Sequence, residues 1–171
     1  MHIDVPIVVQ NKAHACGESA WLDSLPSLVE DLASAWGFRP GAVHPDGTEA
    51  LVLDVVMTDG PHAVLKLLVP RDGAARNEIR VLELADGDGC PALYRSDHDR
   101  SAMLMERLGP SMFRLGLPIE LRHTSLVGAA RRLWRPAPSI PVSRPGRGRH
   151  AGWRTTSSPA GNAPIARVRR P

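Results

Sequence analysis

Between Ala50 and Leu84 the apolar positions first alternate and then recur at helical spacing. Leu51, Leu53, Val55 and Met57 share one face of an extended segment, because strand side chains point alternately to either side. Thr58, Asp59, Gly60 and Pro61 form a turn cluster, with Gly60 able to take the positive φ such turns ask for. The return strand sets Ala63, Leu65, Leu67 and Val69 on one side and His62, Val64, Lys66 and Leu68 on the other. Lys66 thus stands in an apolar stripe, where an ammonium needs a carboxylate, a ligand anion or a route to water. Asp72 or Gly73 can open the next helix, whose inner stripe is Ala75, Ile79, Leu82 and Ala85. Glu78 lies one turn before Leu82, at the edge of that stripe, so the strand lysine and the helix glutamate can meet in a cleft.

The flanking segments are read in the same way. Residues 5–9 suit an edge strand, since Pro6 denies it a ladder donor. Ser24 is a candidate N-cap with Pro26 in the first turn; Leu25, Leu28, Val29, Leu32 and Trp36 follow helical spacing, and Gly37 stops the helix. Residues 39–47, rich in Pro and Gly, read as a loop into the strand at Ala50. After the central helix comes a turn cluster at 86–89, then two strands at 92–95 and 102–107 joined around 96–100. Leu108-Gly109-Pro110 breaks the pattern, and Pro118 opens a last helix with Leu126, Val127, Ala130, Leu133 and Trp134 as apolar positions. Trp21, Trp36 and Trp134 are most simply residues of the core or its edge.

Charge divides the chain. Residues 1–135 carry 14 Lys and Arg against 18 Asp and Glu, a net −4, whereas residues 136–171 carry 7 Arg and no acid, a net +7. That tail also holds 7 Pro and 4 Gly and no Leu, Met or Phe, too little apolar surface to offset its chain entropy, so it is expected to be disordered. Its arginines could neutralise nucleic-acid phosphates, but Trp153 is the only residue there to stack a base, and random basic composition is the simpler reading. Cys16 and Cys90 make no zinc or disulfide framework, which suits a reducing cytoplasm. No signal peptide is seen, and the apolar runs fall short of the ~20 residues that cross a bilayer. A cytoplasmic chain with no membrane partner is expected.

The order of two strands, helix, two strands, break and helix places Lys66, Glu78 and a hinge as a kinase-type nucleotide-binding lobe has them. A plainer reading has Lys66 snorkelling to water and Glu78 solvated. The runs WLDSLP (21–26), TEALVLDVVMTDGPHAVLKLLVP (48–70), ELADGDG (83–89), MLMERLGPSM (103–112) and ARRLWRPAP (130–138) add weight to the first. Together they resemble the aminoglycoside phosphotransferases of the streptomycin 6-kinase branch, also labelled hydroxyurea phosphotransferases, over about residues 18–138. The resemblance implies a protein-kinase-like fold and transfer of the ATP γ-phosphate to a drug hydroxyl, with Mg²⁺ as the accompanying ion. It makes Lys66 the phosphate-binding lysine and Glu78 its partner. Met105, Glu106, Arg107 and Leu108 match the hinge whose backbone would hold adenine. The G-x-G-x-x-G loop of protein kinases is absent, and Gly47 is the only glycine in the five residues before the strand at Ala50.

Phosphoryl transfer also needs an Asp that orients the hydroxyl, and an Asn and a second Asp that hold Mg²⁺. No Asp or Glu follows Glu120, and the H-x-D at His2-Ile3-Asp4 precedes Lys66 and has Val9 where the Asn should stand. Catalytic and metal-binding residues are therefore expected to be absent. Asp86/Asp88 and Asp97/Asp99 read as solvated turn residues rather than metal ligands, with Cys90 where a calcium loop needs an oxygen.

The expected architecture is α+β. Residues 1–110 form a kinase-like N-terminal lobe of antiparallel sheet plus helix, residues 111–135 begin a helical second lobe, and residues 136–171 are a disordered tail. The expected function is that of an aminoglycoside kinase, truncated and catalytically incompetent, with a tail read from a shifted frame. The competing readings are a non-enzymatic nucleotide-binding or interaction lobe, with self-association through an exposed face, and, less favoured, a basic-tailed nucleic-acid binder. Most of the aminoglycoside pocket would lie outside this sequence.

Overall fold

A computed structural model describes residues 2–71 and 73–134. Asp72 and the whole of the expected disordered tail lie outside the described residues. Among the described residues nine elements follow in chain order: α1 (Ile7–Ala15), α2 (Ser19–Trp36), β1 (Phe38–Val43), β2 (Ala50–Met57), β3 (His62–Leu68), α3 (Ala74–Ala85), β4 (Leu93–Asp97), β5 (Ala102–Glu106) and α4 (Ile119–Leu133). The strands form one antiparallel sheet in the order β1-β2-β3-β5-β4, so the fold is α+β and of the kind a kinase-like N-terminal lobe has.

The alternation read from the sequence sets the two faces. Leu51, Leu53, Val55, Met57, Ala63, Leu65, Leu67, Ala102 and Leu104 pack against Val9 and Ala13 of α1 and Trp21, Leu25, Val29 and Leu32 of α2. On the opposite face Ala50, Leu68 and Met103 pack under Ala75, Ile79 and Leu82 of α3. Helix α3 covers only part of that face: Val52, Asp54, Val56, Val64 and Met105 are half-buried. The tight turn between β2 and β3 is as expected, with Gly60 at φ 102° and its N–H donating to the Met57 carbonyl at 2.9 Å.

Four local expectations are corrected. Residues 7–9, read as part of an edge strand, begin α1, and Pro6 is its N-cap; burial of Val9 and Ala13, four apart, outweighs the strand preference of Val8 and Val9. Helix α2 starts five residues before Ser24, with Glu18 as its N-cap. Pro26 therefore lies inside the helix, and Ser24 donates its hydroxyl to the Trp21 carbonyl at 2.8 Å. The buried row Trp21, Leu25, Val29 and Leu32 carries the helix through the proline. Gly37 does end it, at φ 70°, a left-handed conformation that favours glycine.

The third correction is β1, read as a loop. It pairs with β2 from Phe38↔Met57 through Pro40↔Val55 to Val43↔Leu53, with a register shift after Pro40. As the edge strand it can hold a proline that has no ladder donor to give. The fourth is Trp134, which is 84% exposed rather than at the core.

Helix α4 begins after Pro118, as expected, but buries no residue fully. It touches the turn after α3: a Cβ on Gly89 would sit 2.6 Å from the Ala129 carbonyl oxygen, and Arg132 pairs with Asp88 at 3.5 Å. Ile119, Leu126 and Val127 remain about half-exposed. Among the described residues no helix is long and apolar enough to cross a membrane.

Candidate functional site

The partly uncovered face of the sheet carries the site. Lys66 sits in register between Val52 on β2 and Met103 on β5, so its stem lies on apolar surface. Helix α3 presses Ala75, Ile79 and Leu82 onto the same face, which brings Glu78, beside Ile79, over the lysine. The Lys66 Nζ donates to Glu78 Oε1 at 2.5 Å, with the side chains 26% and 33% exposed. Lysine and glutamate thus meet as the spacing predicts. The pair keeps access to solvent, so the ammonium can also face an anion.

Met105 and Glu106, expected in the hinge, end β5, and Arg107 and Leu108 follow as the chain leaves the sheet. Met105 is half-buried and lies opposite Val64 on β3, on the Lys66 face. Glu106 is held twice by the entrance of β4: its N–H donates to the Ala92 carbonyl at 2.8 Å, and its Oε2 accepts from the Ala92 N–H at 3.1 Å. Arg107 sends its side chain back across β3 to β2, where Nε donates to Asp54 Oδ1 at 2.8 Å and a terminal nitrogen donates to Oδ2 at 3.3 Å. Leu108 is exposed and begins the break.

Asp54 and His44 were not singled out from the sequence. Asp54 accepts from Arg107 and also pairs with His44 Nε2 at 3.1 Å. The Arg107 hydrogen bond holds the Asp54 carboxyl below its ordinary value, with His44 helping and partial burial opposing. The same contact raises Arg107. A pocket of about 450 Å³ opens here, lined by Gly41, Asp54, Val56, His62 and Arg107. The signal was present: Asp54 is a charged residue in mid-strand, on the Lys66 face, between Val52 and Val56.

The acidic turns serve the backbone and the surface. Asp97 Oδ1 accepts from the N–H groups of Asp99 and Arg100 at 3.0 and 2.9 Å, and Asp88 faces Arg132. Asp86 is the left-handed C-cap of α3. Among the described residues no three His, Cys, Asp or Glu side chains converge to hold a metal ion.

The sheet, the inserted α3 and the lysine–glutamate pair define the kind of lobe that binds a nucleotide in kinases. The chain belongs to the aminoglycoside/hydroxyurea antibiotic resistance kinase family, whose model matches residues 35–152. It is 41% identical over 101 residues to a streptomycin 6-kinase of Streptomyces glaucescens, covering 58% of this chain and 33% of that protein. It is 33% identical over 118 residues to a hydroxyurea phosphotransferase of Kitasatospora aureofaciens, covering 67% of this chain and 34% of the other. A streptomycin 6-kinase of Streptomyces griseus is 34% identical over 113 residues, 64% of this chain and 36% of its own. The chain spans about a third of the length of these curated relatives.

Proposed function

We propose that the described residues form the nucleotide-binding lobe of an aminoglycoside O-phosphotransferase, whose reaction moves the ATP γ-phosphate to a hydroxyl of a streptomycin-like antibiotic. The observation that carries this reading is the Lys66–Glu78 hydrogen bond on the partly uncovered sheet face, in a chain of this family. In that role the Lys66 ammonium neutralises nucleotide phosphates while Glu78 holds it extended. The backbone of Met105, Glu106, Arg107 and Leu108 takes the base. A solvent-accessible ammonium with one carboxylate partner fits an ATP phosphate.

Mg²⁺ does not fit the described residues, which bring together no set of ligands for it. The sequence after Glu120 contains no Asp or Glu, so neither the residue that orients the acceptor hydroxyl nor a metal-binding Asp is found there. Positioning and charge stabilisation supply most of phosphoryl-transfer catalysis. These 171 residues are accordingly read as binding nucleotide without transferring phosphate by themselves.

The test is thermal unfolding of the purified chain with and without ATP and magnesium chloride. A concentration-dependent rise in Tm that disappears in Lys66→Met supports the reading. A Tm indifferent to ATP favours a lobe that serves only in interaction. Phosphorylation of streptomycin by a preparation free of contaminating kinases overturns the expectation of incompetence.

A further inference from the structure

The Asp54–Arg107 contact joins two elements that are not neighbours in the sheet. Strand β3 lies between β2 and β5, and Arg107 is the first residue beyond β5. The register runs Asp54↔Val64↔Met105 in one row, while Ala63 pairs with Glu106. Arg107 therefore leaves β5 close to His62 and reaches diagonally over β3 to β2, onto the face that carries Lys66. Two nitrogens of a planar guanidinium engage both oxygens of one carboxylate, which fixes direction as well as distance. His44, next after β1, braces the same carboxylate from the far side, so the tie spans four strands of the sheet.

We infer that Asp54 is a positioning residue for the nucleotide: by holding Arg107 across β3, it fixes the path of the hinge backbone at residues 106–108 relative to the Lys66–Glu78 pair. The inference rests on the nucleotide-binding reading above and assigns a task to side chains which that reading leaves unused. The hinge needs such a tie. Immediately beyond it, Leu108 is exposed, and so are Gly109, Pro110 and Ser111, so little packing holds the backbone there. Glu106 is anchored to Ala92, on the β4 side of the hinge. Arg107 supplies the anchor on the β2 side. With both in place, the groups that would take the base and the ammonium that would take the phosphates sit at a set separation, and binding need not first order the hinge.

The experiment compares wild type, Asp54→Asn, Arg107→Ala, Arg107→Lys and the double variant Asp54→Asn/Arg107→Ala, all in the full chain. Asp54→Asn is close to isosteric, and urea midpoints confirm that each variant folds. Amide hydrogen exchange is followed without ligand in peptides covering the hinge and α3, and affinity for ATP with magnesium chloride is measured by calorimetry. The expected result is faster exchange at 106–109 with α3 unchanged, and ATP binding about two- to fivefold weaker, the scale of a solvent-exposed ion pair. The double variant should be no worse than Arg107→Ala, and Arg107→Lys should recover part of the loss. Unchanged hinge exchange overturns the tie. Unchanged ATP affinity in Asp54→Asn and Arg107→Ala, with a wild type that binds, overturns the positioning role alone. A wild type that does not respond to ATP overturns the nucleotide reading itself and this role with it.

Discussion

Replacing Glu78 by Ala should destabilise the chain more than replacing Lys66 by Met, although each removes the same hydrogen bond. Lys66 emerges between Val52 and Met103 on the α3-side face. A methionine there keeps the stem's packing and adds no polar group to satisfy, while Glu78, one-third exposed, can turn to water. Glu78→Ala instead leaves an ammonium on an apolar face with only partial access to solvent. A pair at 26% and 33% exposure lies between the surface limit of roughly 0.2–1 kcal/mol and the roughly 3–5 kcal/mol lost when a fully buried pair is broken. We expect about 1–2 kcal/mol for Glu78→Ala and about 0–1 kcal/mol for Lys66→Met. The coupling between them should be about 1 kcal/mol. Urea unfolding of the four members of the cycle gives the numbers, read from midpoints at constant m-value. Coupling below about 0.3 kcal/mol, together with Lys66→Met as the costlier change, would refute the reasoning and return both residues to the solvated surface.

Three further outcomes follow from the geometry. Leu65→Ala, at a side chain with no exposed surface in the centre of the sheet, should cost about 2–5 kcal/mol in urea unfolding; a loss under about 1 kcal/mol would mean the face against α1 and α2 is loosely packed. Gly89→Ala places a Cβ 2.6 Å from the Ala129 carbonyl at φ 83°, so it should cost about 1–2 kcal/mol and speed amide exchange across residues 129–133; unchanged exchange would show that α4 does not depend on that contact. Asp54 is held below its ordinary value of 3.8, by Arg107 first and His44 second, with His62 lining the same pocket. A carboxyl lowered in the native state stabilises fully above 3.8 and loses that contribution as pH falls through its native value. The stability gap between wild type and Asp54→Asn should therefore close as pH falls below about 4, and a gap unchanged on such acidification would contradict the contact.

The sequence by itself determined the centre of the molecule. Period-two alternation at Leu51–Met57 and Ala63–Leu67 could bury one face only if both segments were strands, and Gly60 in the turn set their register. Helical spacing from Ala75 to Ala85 then required a helix on the other face, and Glu78 at the edge of its stripe was committed to the Lys66 side. Both partners of the pair are therefore legible from local periodicity.

The ends of the fold were not, because their conformation depends on what covers them. Val8 and Val9 prefer strand, yet they form a helix since Val9 and Ala13 find the sheet's far face. Pro26 reads as a helix start but is carried inside α2 by Trp21, five residues earlier, which is buried in the same core. Pro40 and Gly41 look like loop residues, and only the free edge of β2 made them a strand. The Asp54–Arg107 tie joins residues 53 apart and exists because β2 and β5 flank β3. Strand order is a property of the assembled sheet, and no local pattern encodes it.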